Sequence, residues 1–221
     1  MEENLEETGK ETGRETIGAP PGPSGNHELS EGNEHRPSSG SFPVANATLF
    51  YTALTGVGLL WRWIAGREPL FPLAGLEPSE AIATGCLSGV VIAAAAWAAC
   101  RMFAWAREIE KLLSNLVGPL GPAAAFVVAL ASSVGEETFF RAAVQTSTGL
   151  LPASALFAIA HFPLERKLVP WTAEAFLVGM LLGWMFEHYQ GLAGPISCHF
   201  AINFIGLVRL GGNFSVRRAP W

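Results

Sequence analysis

Long apolar stretches alternate with short polar breaks along the chain from residue 44 onward. A helix needs roughly 20 predominantly apolar residues to cross the hydrocarbon core of a bilayer. The pattern predicts about six membrane segments, at residues 44–64, 80–106, 119–145, 151–162, 171–189 and 195–210. The fourth is short for a full span, so a partial or re-entrant segment is expected there. The predicted fold class is all-α, a polytopic integral membrane helix bundle.

Residues 1–43 have a different composition, rich in Glu, Gly, Pro and Ser and almost without large apolar side chains. Such a segment cannot bury enough surface to offset the entropy lost on ordering, so a disordered acidic tail is predicted. It has no apolar core of the kind that a signal peptide needs, so the first membrane helix is expected to direct insertion. The remaining chain divides into two N-terminal transmembrane helices (44–111), a membrane core (112–211) and a short C-terminal tail (212–221).

The charge of the chain agrees with a membrane location and argues against nucleic-acid binding. Only 15% of the residues are charged, whereas soluble domains carry about 25%. The net charge is −5 and no basic patch occurs, so no nucleic-acid partner is expected. Aspartate is absent from the sequence. That absence excludes the aspartyl class of intramembrane proteases, because their chemistry requires two aspartates.

The basic residues near the predicted helix ends indicate an orientation. If all six segments cross, one side of the membrane collects the basic residues Arg36, Arg107, Lys111, Arg166, Lys167, Arg209, Arg217 and Arg218. The other side collects only Arg62 and Arg67. The positive-inside rule then places both termini in the cytoplasm.

Polar side chains inside the apolar stretches are the clearest functional signal. They are Glu136, Glu137 and Arg141 in the third segment, His161 at the end of the fourth, and His199 with Asn203 in the sixth. An ionisable group in hydrocarbon costs at least ~2.5–3.5 kcal/mol by insertion scales, so it is kept only where it pairs, lines a wet cavity or does chemistry. Carboxylates, imidazoles and a carboxamide together are typical of a hydrolase active site. An intramembrane enzyme is therefore the leading hypothesis.

The spacing of these residues assigns them to helix faces, since residues four apart lie on one face. Glu137 and Arg141 have this relation and predict an ion pair. Glu136 points about 100° away from Glu137 around an α-helix, so the two carboxylates are expected to have different roles. His199 and Asn203 are also four apart, so one helix face presents both.

These residues carry a resemblance to a known family. Glu-Glu-Thr-Phe-Phe-Arg at 136–141, Phe157 to His161 and His199 to Asn203 resemble, in order, the EExxxR, FxxxH and HxxxN motifs of the CAAX-protease and bacteriocin-processing family. This family includes the Rce1-type prenyl-protein endopeptidases. The resemblance covers residues 119–210. One departure is Ala142, where the family often has glycine, and little consequence is expected.

The resemblance implies a glutamate-dependent intramembrane endopeptidase that uses no metal and no other cofactor. Glu136 with His161 would activate a water, and His199 with Asn203 would stabilise the oxyanion of the tetrahedral intermediate. Glu137 and Arg141 would be the supporting pair. An apolar environment raises a carboxylate's pKa toward the operating pH, as a general base requires.

The resemblance also indicates which partners and which location to expect. The expected partners are the lipid bilayer and a membrane-anchored protein or peptide substrate, either lipidated or C-terminally anchored. Cleavage near a substrate's membrane anchor, as in a protein-sorting peptidase, is favoured over removal of a prenylated tripeptide or bacteriocin maturation. The small size indicates a bacterial inner-membrane protein, with the site in the non-cytoplasmic half. The oligomeric state stays open.

Two alternatives also stay open. A zinc-dependent membrane metalloprotease is one, because two histidines and a glutamate can hold zinc with a water in the open position. The chain lacks HExxH, however, and Asn203 stands where its second histidine would be. The three cysteines lack metal-ligand spacing and are predicted to be buried apolar residues. The other alternative is a non-catalytic membrane scaffold or bacteriocin-immunity protein, in which these residues are structural or bind a peptide.

Overall fold

The computed structural model describes residues 43–67, 75–161 and 166–217, with side chains up to residue 213. All regular structure in these ranges is helical, which confirms the predicted all-α fold. The elements are α1 (Val44–Ile64), α2 (Pro78–Met102), α3 (Ala104–Val117), α4 (Pro122–Glu137), a π-helical segment (Thr138–Gln145), α5 (Thr146–Thr148), α6 (Leu150–Ala160), a 3-10 turn (Arg166–Leu168), α7 (Val169–Tyr189) and α8 (Ala193–Arg217). The predicted acidic tail lies outside the described residues, apart from Pro43.

Five helical stretches in the described ranges are long and apolar enough to cross a membrane. They are Val44–Ile64, Pro78–Met102, Pro122–Thr148, Arg166–Tyr189 and Ala193–Asn213, and they make this an integral, multi-pass membrane protein. The third joins α4, the π-helical segment and α5 into one continuous helix. The fourth predicted segment corresponds to α6, which has 11 residues. At 1.5 Å per residue it is about 16 Å long and cannot cross a bilayer alone.

α6 is short, and it packs alongside α7 in the opposite direction. Leu150 at the start of α6 lies beside Gly183, in the second half of α7. His161, just after the end of α6, has its ring centroid 5.6 Å from that of Trp171 in the first turn of α7. The two helices are therefore antiparallel, and α7 runs in the same direction as α4.

The directions of the long helices place both ends of the described chain together. α8 is antiparallel to α4, because His199 near its start meets Glu137 and Gly211 further along meets Leu120. α1 runs parallel to α4, and α2 runs parallel to α8. With α6 as a return segment, the chain begins and ends at the same end of the bundle. The assignment of that end to the cytoplasm stays a prediction from the charge distribution.

Glycines bring α2 unusually close to α8. A Cβ atom at Gly85 would overlap the carbonyl oxygen of Gly194, and one at Gly89 would overlap the carbonyl oxygen of Cys198. Small residues at such positions let helix backbones pack in direct contact within a membrane. Cys198 is buried here, as predicted, whereas the prediction is wrong for Cys86, which is exposed. Exposure is tolerated because an outward-facing thiol on a spanning helix meets lipid, which is as apolar as a protein core.

The amphipathic helix α3 is missed by the apolar pattern. α2 ends at Met102, before the predicted boundary at 106, because Phe103 has extended backbone angles (φ −116°, ψ 132°). α3 is attached to α8 by an ion pair of 2.6 Å between Glu110 and Arg209 and by a 2.8 Å hydrogen bond from Ser114 Oγ to the Leu210 carbonyl. A helix that mixes charged and apolar side chains lacks the long apolar run by which spanning helices are detected.

Candidate active site

The two adjacent glutamates lie where α4 changes into the π-helical segment. Glu137 and Arg141 are fully buried and form the predicted ion pair, with Arg141 Nε 2.9 Å from Glu137 Oε2. The π-helical turns themselves are not predicted by the sequence, since a motif with four-residue spacing fits an ordinary α-helix equally well. Such turns are rare and occur often at functional sites, where they re-aim side chains.

Glu137 engages a second partner with its other oxygen. Nδ1 of His199 lies 2.8 Å from Glu137 Oε1, while Oε2 accepts the bond from Arg141. Because an ionised carboxylate only accepts hydrogen bonds, Nδ1 of His199 carries a hydrogen and donates it. Glu137 thus orients the imidazole of His199 from α4 across to α8. The sequence spacing predicts the bond to Arg141 but not the one to His199.

Glu136 faces the two imidazoles without contacting either directly. Its Oε2 atom is 3.6 Å from Nε2 of His161 and 3.9 Å from Nε2 of His199. These separations exceed hydrogen-bond length. Oε2 is buried and has no hydrogen-bond partner among the residues that the structure describes. A buried carboxylate oxygen normally has a partner, so this point is where a water or a substrate group fits.

The ring orientation of His161 follows from its own helix. Nδ1 lies 2.8 Å from the carbonyl oxygen of Phe157, one turn earlier. A carbonyl oxygen only accepts, so Nδ1 carries the hydrogen, and in the neutral ring Nε2 presents its lone pair to Glu136. The FxxxH spacing therefore places the Phe157 carbonyl oxygen within hydrogen-bond reach of the His161 ring, and this bond determines the tautomer of His161.

Asn203 lies one turn after His199 and also points toward α4. Its amide nitrogen Nδ2 donates a 2.9 Å hydrogen bond to Ser132 Oγ. Ser132 is one turn before Glu136, so the two polar residues of α8 contact two successive turns of α4. An amide nitrogen has two hydrogens, and the bond to Ser132 uses one of them.

Aromatic rings enclose the polar cluster. The buried ring of Phe157 lies 5.0 Å from the Arg141 guanidinium carbon and 4.3 Å from the ring centroid of His161. It also contacts His199 edge-on, at 5.8 Å between centroids. His161 is the most accessible of the predicted ionisable site residues, with 23% of its side chain exposed. The cluster is therefore closed on the Phe157 side and open beside His161.

The structure brings all six predicted site residues to one place, and it adds one that the sequence analysis missed. Tyr51, on α1, packs against α4 beside Glu136, since a Cβ atom at Gly135 would overlap the Tyr51 carbonyl oxygen. A tyrosine in an apolar helix carries no distinguishing signal, because tyrosines commonly anchor helices at membrane interfaces. Arg62 also differs from the expectation of an interfacial charge. It is buried and donates a 2.7 Å hydrogen bond to the carbonyl of Ala142 in the π-helical segment.

The described residues include no group of three or more His, Cys, Asp or Glu side chains arranged to hold a metal ion. The imidazole nitrogen of His199 that faces Glu137 is committed to that carboxylate. Two ligand atoms on one tetrahedral zinc ion lie about 3.4 Å apart. Glu136 Oε2 is 3.6 Å from Nε2 of His161 and 3.9 Å from Nε2 of His199, so these separations are compatible with the zinc alternative as well.

Comparisons with known proteins agree with the motifs. Residues 118–205 match the sequence model of a family described as type II CAAX prenyl endopeptidase Rce1-like, which confirms the resemblance. A stretch of 72 residues is 38% identical to YpbD, an uncharacterised protein of Bacillus subtilis. That stretch makes up 32% of this chain and 36% of the relative, so the chain matches only about a third of the relative's length. No solved structure matches the chain.

Proposed function

We propose that this multi-pass membrane protein, whose core at residues 118–205 is Rce1-like, is an intramembrane endopeptidase that hydrolyses peptide bonds with a glutamate-activated water. The observation that carries the proposal is the position of Glu136 Oε2. It is buried, unbonded within the described residues and 3.6 and 3.9 Å from the Nε2 atoms of His161 and His199. A carboxylate held in this way has the geometry of a general base, because a water that is hydrogen-bonded to Oε2 from the side also reaches Nε2 of His161.

The water would bind beside Glu136 and His161, within hydrogen-bond reach of both, because their 3.6 Å separation leaves no room between them. Both Oε2 of Glu136 and the unprotonated Nε2 of His161 are acceptors, so they cannot bond to each other, but a water donates one hydrogen to each. As the water oxygen attacks the peptide carbonyl carbon, one proton passes to Glu136 and a tetrahedral oxyanion forms. Glu136 then returns this proton to the amide nitrogen, the C–N bond breaks, and a carboxylic acid and an amine leave.

His199 and Asn203 would stabilise the oxyanion. Nδ1–H of His199 is donated to Glu137, so Nε2 offers a second hydrogen only when the ring is an imidazolium. The second amide hydrogen of Asn203, which Ser132 does not use, is the other donor. Both donors are held on α8 by bonds to α4, and donors that are oriented before the reaction stabilise developing charge most effectively.

The supporting pair, Glu137 and Arg141, helps to keep the net charge of the buried cluster at zero. Two carboxylates, the Arg141 guanidinium and a His199 imidazolium sum to zero net charge in the buried cluster. If either Arg141 or Glu137 alone were removed, the cluster would hold one unbalanced charge away from water, which is strongly unfavourable. Glu137 thus has an orienting and compensating role, whereas Glu136 has the chemical one.

The substrate we propose is a protein or peptide anchored in the membrane, cleaved close to its anchor. This rests on the position of the site inside a bundle of spanning helices, where a soluble peptide has no access. We further propose a bacterial inner-membrane location, which the small size favours, with both termini cytoplasmic, from the charge distribution. Glu136 lies just past the middle of its continuous helix and His199 near the start of α8, which favours the opposite, non-cytoplasmic half.

Cleavage assays on purified protein in detergent test the chemistry. A panel of anchored substrate peptides is compared for wild type, Glu136→Gln and a control, Glu174→Gln, which changes an exposed glutamate of α7. The expected loss of kcat/KM in Glu136→Gln is ~10²–10⁴-fold, the typical contribution of a general base. The control is expected to retain wild-type activity.

The same assay separates the alternatives. Cleavage that survives in Glu136→Gln would contradict a glutamate base. Loss of wild-type activity with EDTA or phenanthroline, restored by zinc, would favour the metalloprotease instead. A biological effect that Glu136→Gln leaves intact would favour a scaffold or immunity protein.

A further inference from the structure

Helix α1 lies outside the segment that matches the family, yet its two buried residues both contact the π-helical segment of the candidate site. These residues are Gly58 and Arg62. A Cβ atom at Gly58 would lie 3.1 Å from the Thr138 carbonyl oxygen and from the Phe139 Cα atom. One turn later, Arg62 Nη1 donates its 2.7 Å hydrogen bond to the Ala142 carbonyl. The buried positions of α1 therefore follow the π-helical segment from its start to Ala142.

The direction of the Arg62 side chain is unusual for its place in the helix. Arg62 is the third-last residue of α1, where a long cationic side chain normally extends to the membrane interface. Only 5% of the residue is exposed, however, and its guanidinium bonds a backbone carbonyl inside the bundle. Such a charge-assisted bond is stronger than a neutral one. A charged group kept inside a membrane bundle is a sign that the position has a function.

The Ala142 carbonyl also receives a second side-chain donor. The Thr146 hydroxyl, one turn later in the same helix, lies 2.7 Å from the Ala142 oxygen and 3.0 Å from the Ala143 oxygen. A carbonyl oxygen has two lone pairs, which Arg62 and Thr146 can both use. Bonds from side chains to backbone groups offer the backbone an alternative to the hydrogen-bond ladder of an α-helix. The bond from Arg62 thereby stabilises the π-helical turns, which are otherwise rare.

The π-helical turns set the rotation of the residues before them relative to the residues at their end. Glu137 precedes these turns and meets His199 of α8 at 2.8 Å. Gln145 ends them and donates a 2.9 Å hydrogen bond to the Gly183 carbonyl of α7. Replacing one π turn by an α turn would rotate one end relative to the other by about 100°, the angle of one helical residue. The helix would then lose its contact with α8 or its contact with α7.

We infer that Arg62 is a positioning residue for the candidate active site. By bonding the Ala142 carbonyl it keeps the segment π-helical, so that Glu137 stays directed at His199 while the end of the segment stays bonded to α7. The inference rests on the proposed function for its effect on catalysis, but not for its effect on the register of the helix. It assigns α1 a part in building the site, which the three motifs leave out.

The variant Arg62→Met tests this role, because it removes the donor and the charge but keeps an unbranched side chain. The matched control is Arg67→Met. Arg67 is exposed and lies three residues after α1, so both variants remove one positive charge from the same end of the helix. Arg62→Lys is the rescue variant, since lysine keeps a charged donor but presents it as a point charge. If Arg62→Met does not fold, the shorter and neutral Arg62→Gln takes its place.

The register of the helix is measured without activity, through the side-chain amide of Gln145. Gln145 and Gln190 are the two glutamines of the chain, so isotope labelling of glutamine gives two pairs of amide resonances in an NMR spectrum. The variant Gln190→Asn identifies the pair that belongs to Gln145. This pair is expected to shift in Arg62→Met, because the bonds of Gln145 to α7 change. It should stay in Arg67→Met and return toward its wild-type position in Arg62→Lys.

Unchanged Gln145 resonances in folded Arg62→Met would overturn the inference. An arginine that only stabilises the fold would lower the unfolding midpoint of the variant without altering the geometry of the folded protein. The resonances of Gln190 serve as the reference, because Gln190 follows α7 and makes no contact with the π-helical segment that the inference uses.

For cleavage, Arg62→Met is expected to lower kcat about 10- to 100-fold with little change in KM, as misplacement of reacting groups does. Arg62→Lys should restore part of the rate, and Arg67→Met should cleave as wild type does. Shifted Gln145 resonances with wild-type kcat in Arg62→Met would refute the role in positioning the site. Shifted resonances in this variant with no cleavage by wild type would support the role of Arg62 in the helix register and count against the proposed protease activity.

Discussion

The two faces of α8 show two ways in which one membrane helix is held in place. On one face, Gly85 and Gly89 of α2 meet the backbone of α8 directly, and the Ser197 side chain of α8 packs beside Gly85. On the other, His199 and Asn203 bond to Glu137 and Ser132 of α4. The first interface is close packing of backbone and small side chains, whereas the second consists of buried bonds between polar side chains.

This difference separates the contacts that stabilise the bundle from the contacts that orient the reactive side chains. Apolar helix pairs in lipid gain mainly from close packing, so glycine contacts position α8 tightly. The polar face then carries donors and charges whose burial is costly unless every one is paired. We infer that the glycine interface supplies the rigidity that the polar face requires for oriented catalysis.

The largest effect should come from breaking the charge balance of the polar face. Glu137→Gln keeps the side-chain shape but leaves Arg141 without a countercharge, and loss of one partner of a buried pair typically costs about 3–5 kcal/mol. Thermal unfolding in detergent should show a large drop in midpoint. The control Glu108→Gln alters an ion pair with Lys111 whose side chains are 61% and 47% exposed. It should change stability by only about 0–1 kcal/mol. Equal effects of the two variants would contradict the buried-charge argument.

A smaller effect, seen in rate rather than stability, should follow from removing one donor. Asn203→Ala is expected to lower kcat by ~10²–10³-fold, the usual consequence of losing one oxyanion donor. The companion variant Ser132→Ala removes only the group that orients Asn203, so its loss should be smaller. Steady-state kinetics of the two variants measure both losses of kcat. If Asn203→Ala changes only KM, the amide binds substrate and does not stabilise the transition state.

The smallest of these effects should come from the glycine face. Gly89→Ala forces a methyl group against the Cys198 carbonyl and the Ala201 side chain, and such overpacking typically costs about 1–3 kcal/mol. Gly206→Ala on α8 is the control, because no atom lies within 4 Å of its Cβ position. A lower unfolding midpoint for Gly89→Ala alone is the expected result. Equal midpoints would show that the bundle tolerates separation of α2 from α8.

Some of the molecule is predictable from the sequence because the signal is local. The apolar run of α1 gives its bounds, Val44–Ile64, as predicted, since nearly every residue of a spanning helix must be apolar. The pair of Glu137 with Arg141 follows from four-residue spacing on one helix. The hydropathy pattern does not predict α3, because this helix is held by contacts with α8 at Glu110 and Ser114 rather than by an apolar run.

The contacts of the candidate site cannot be predicted from local sequence patterns. The three motifs mark six polar residues, but nothing in their spacing says that Glu137 bonds His199, or that Glu136 faces both imidazoles. Those contacts depend on how α4, α6 and α8 are placed side by side. The sequence also gives no sign that Tyr51 packs against Gly135, because this contact joins helices that are separated in sequence by α2 and α3.

The sequence by itself determined that this chain is a helical membrane protein with buried ionisable groups, since hydropathy and charge are properties of each residue in order. It also determined which side chains share a helix face. Only the tertiary structure decided which oxygen of each glutamate meets which partner, and that the π-helical segment and α1 shape the site. Those features arise from packing between distant segments, where a shift of about one ångström changes a hydrogen bond into a van der Waals contact.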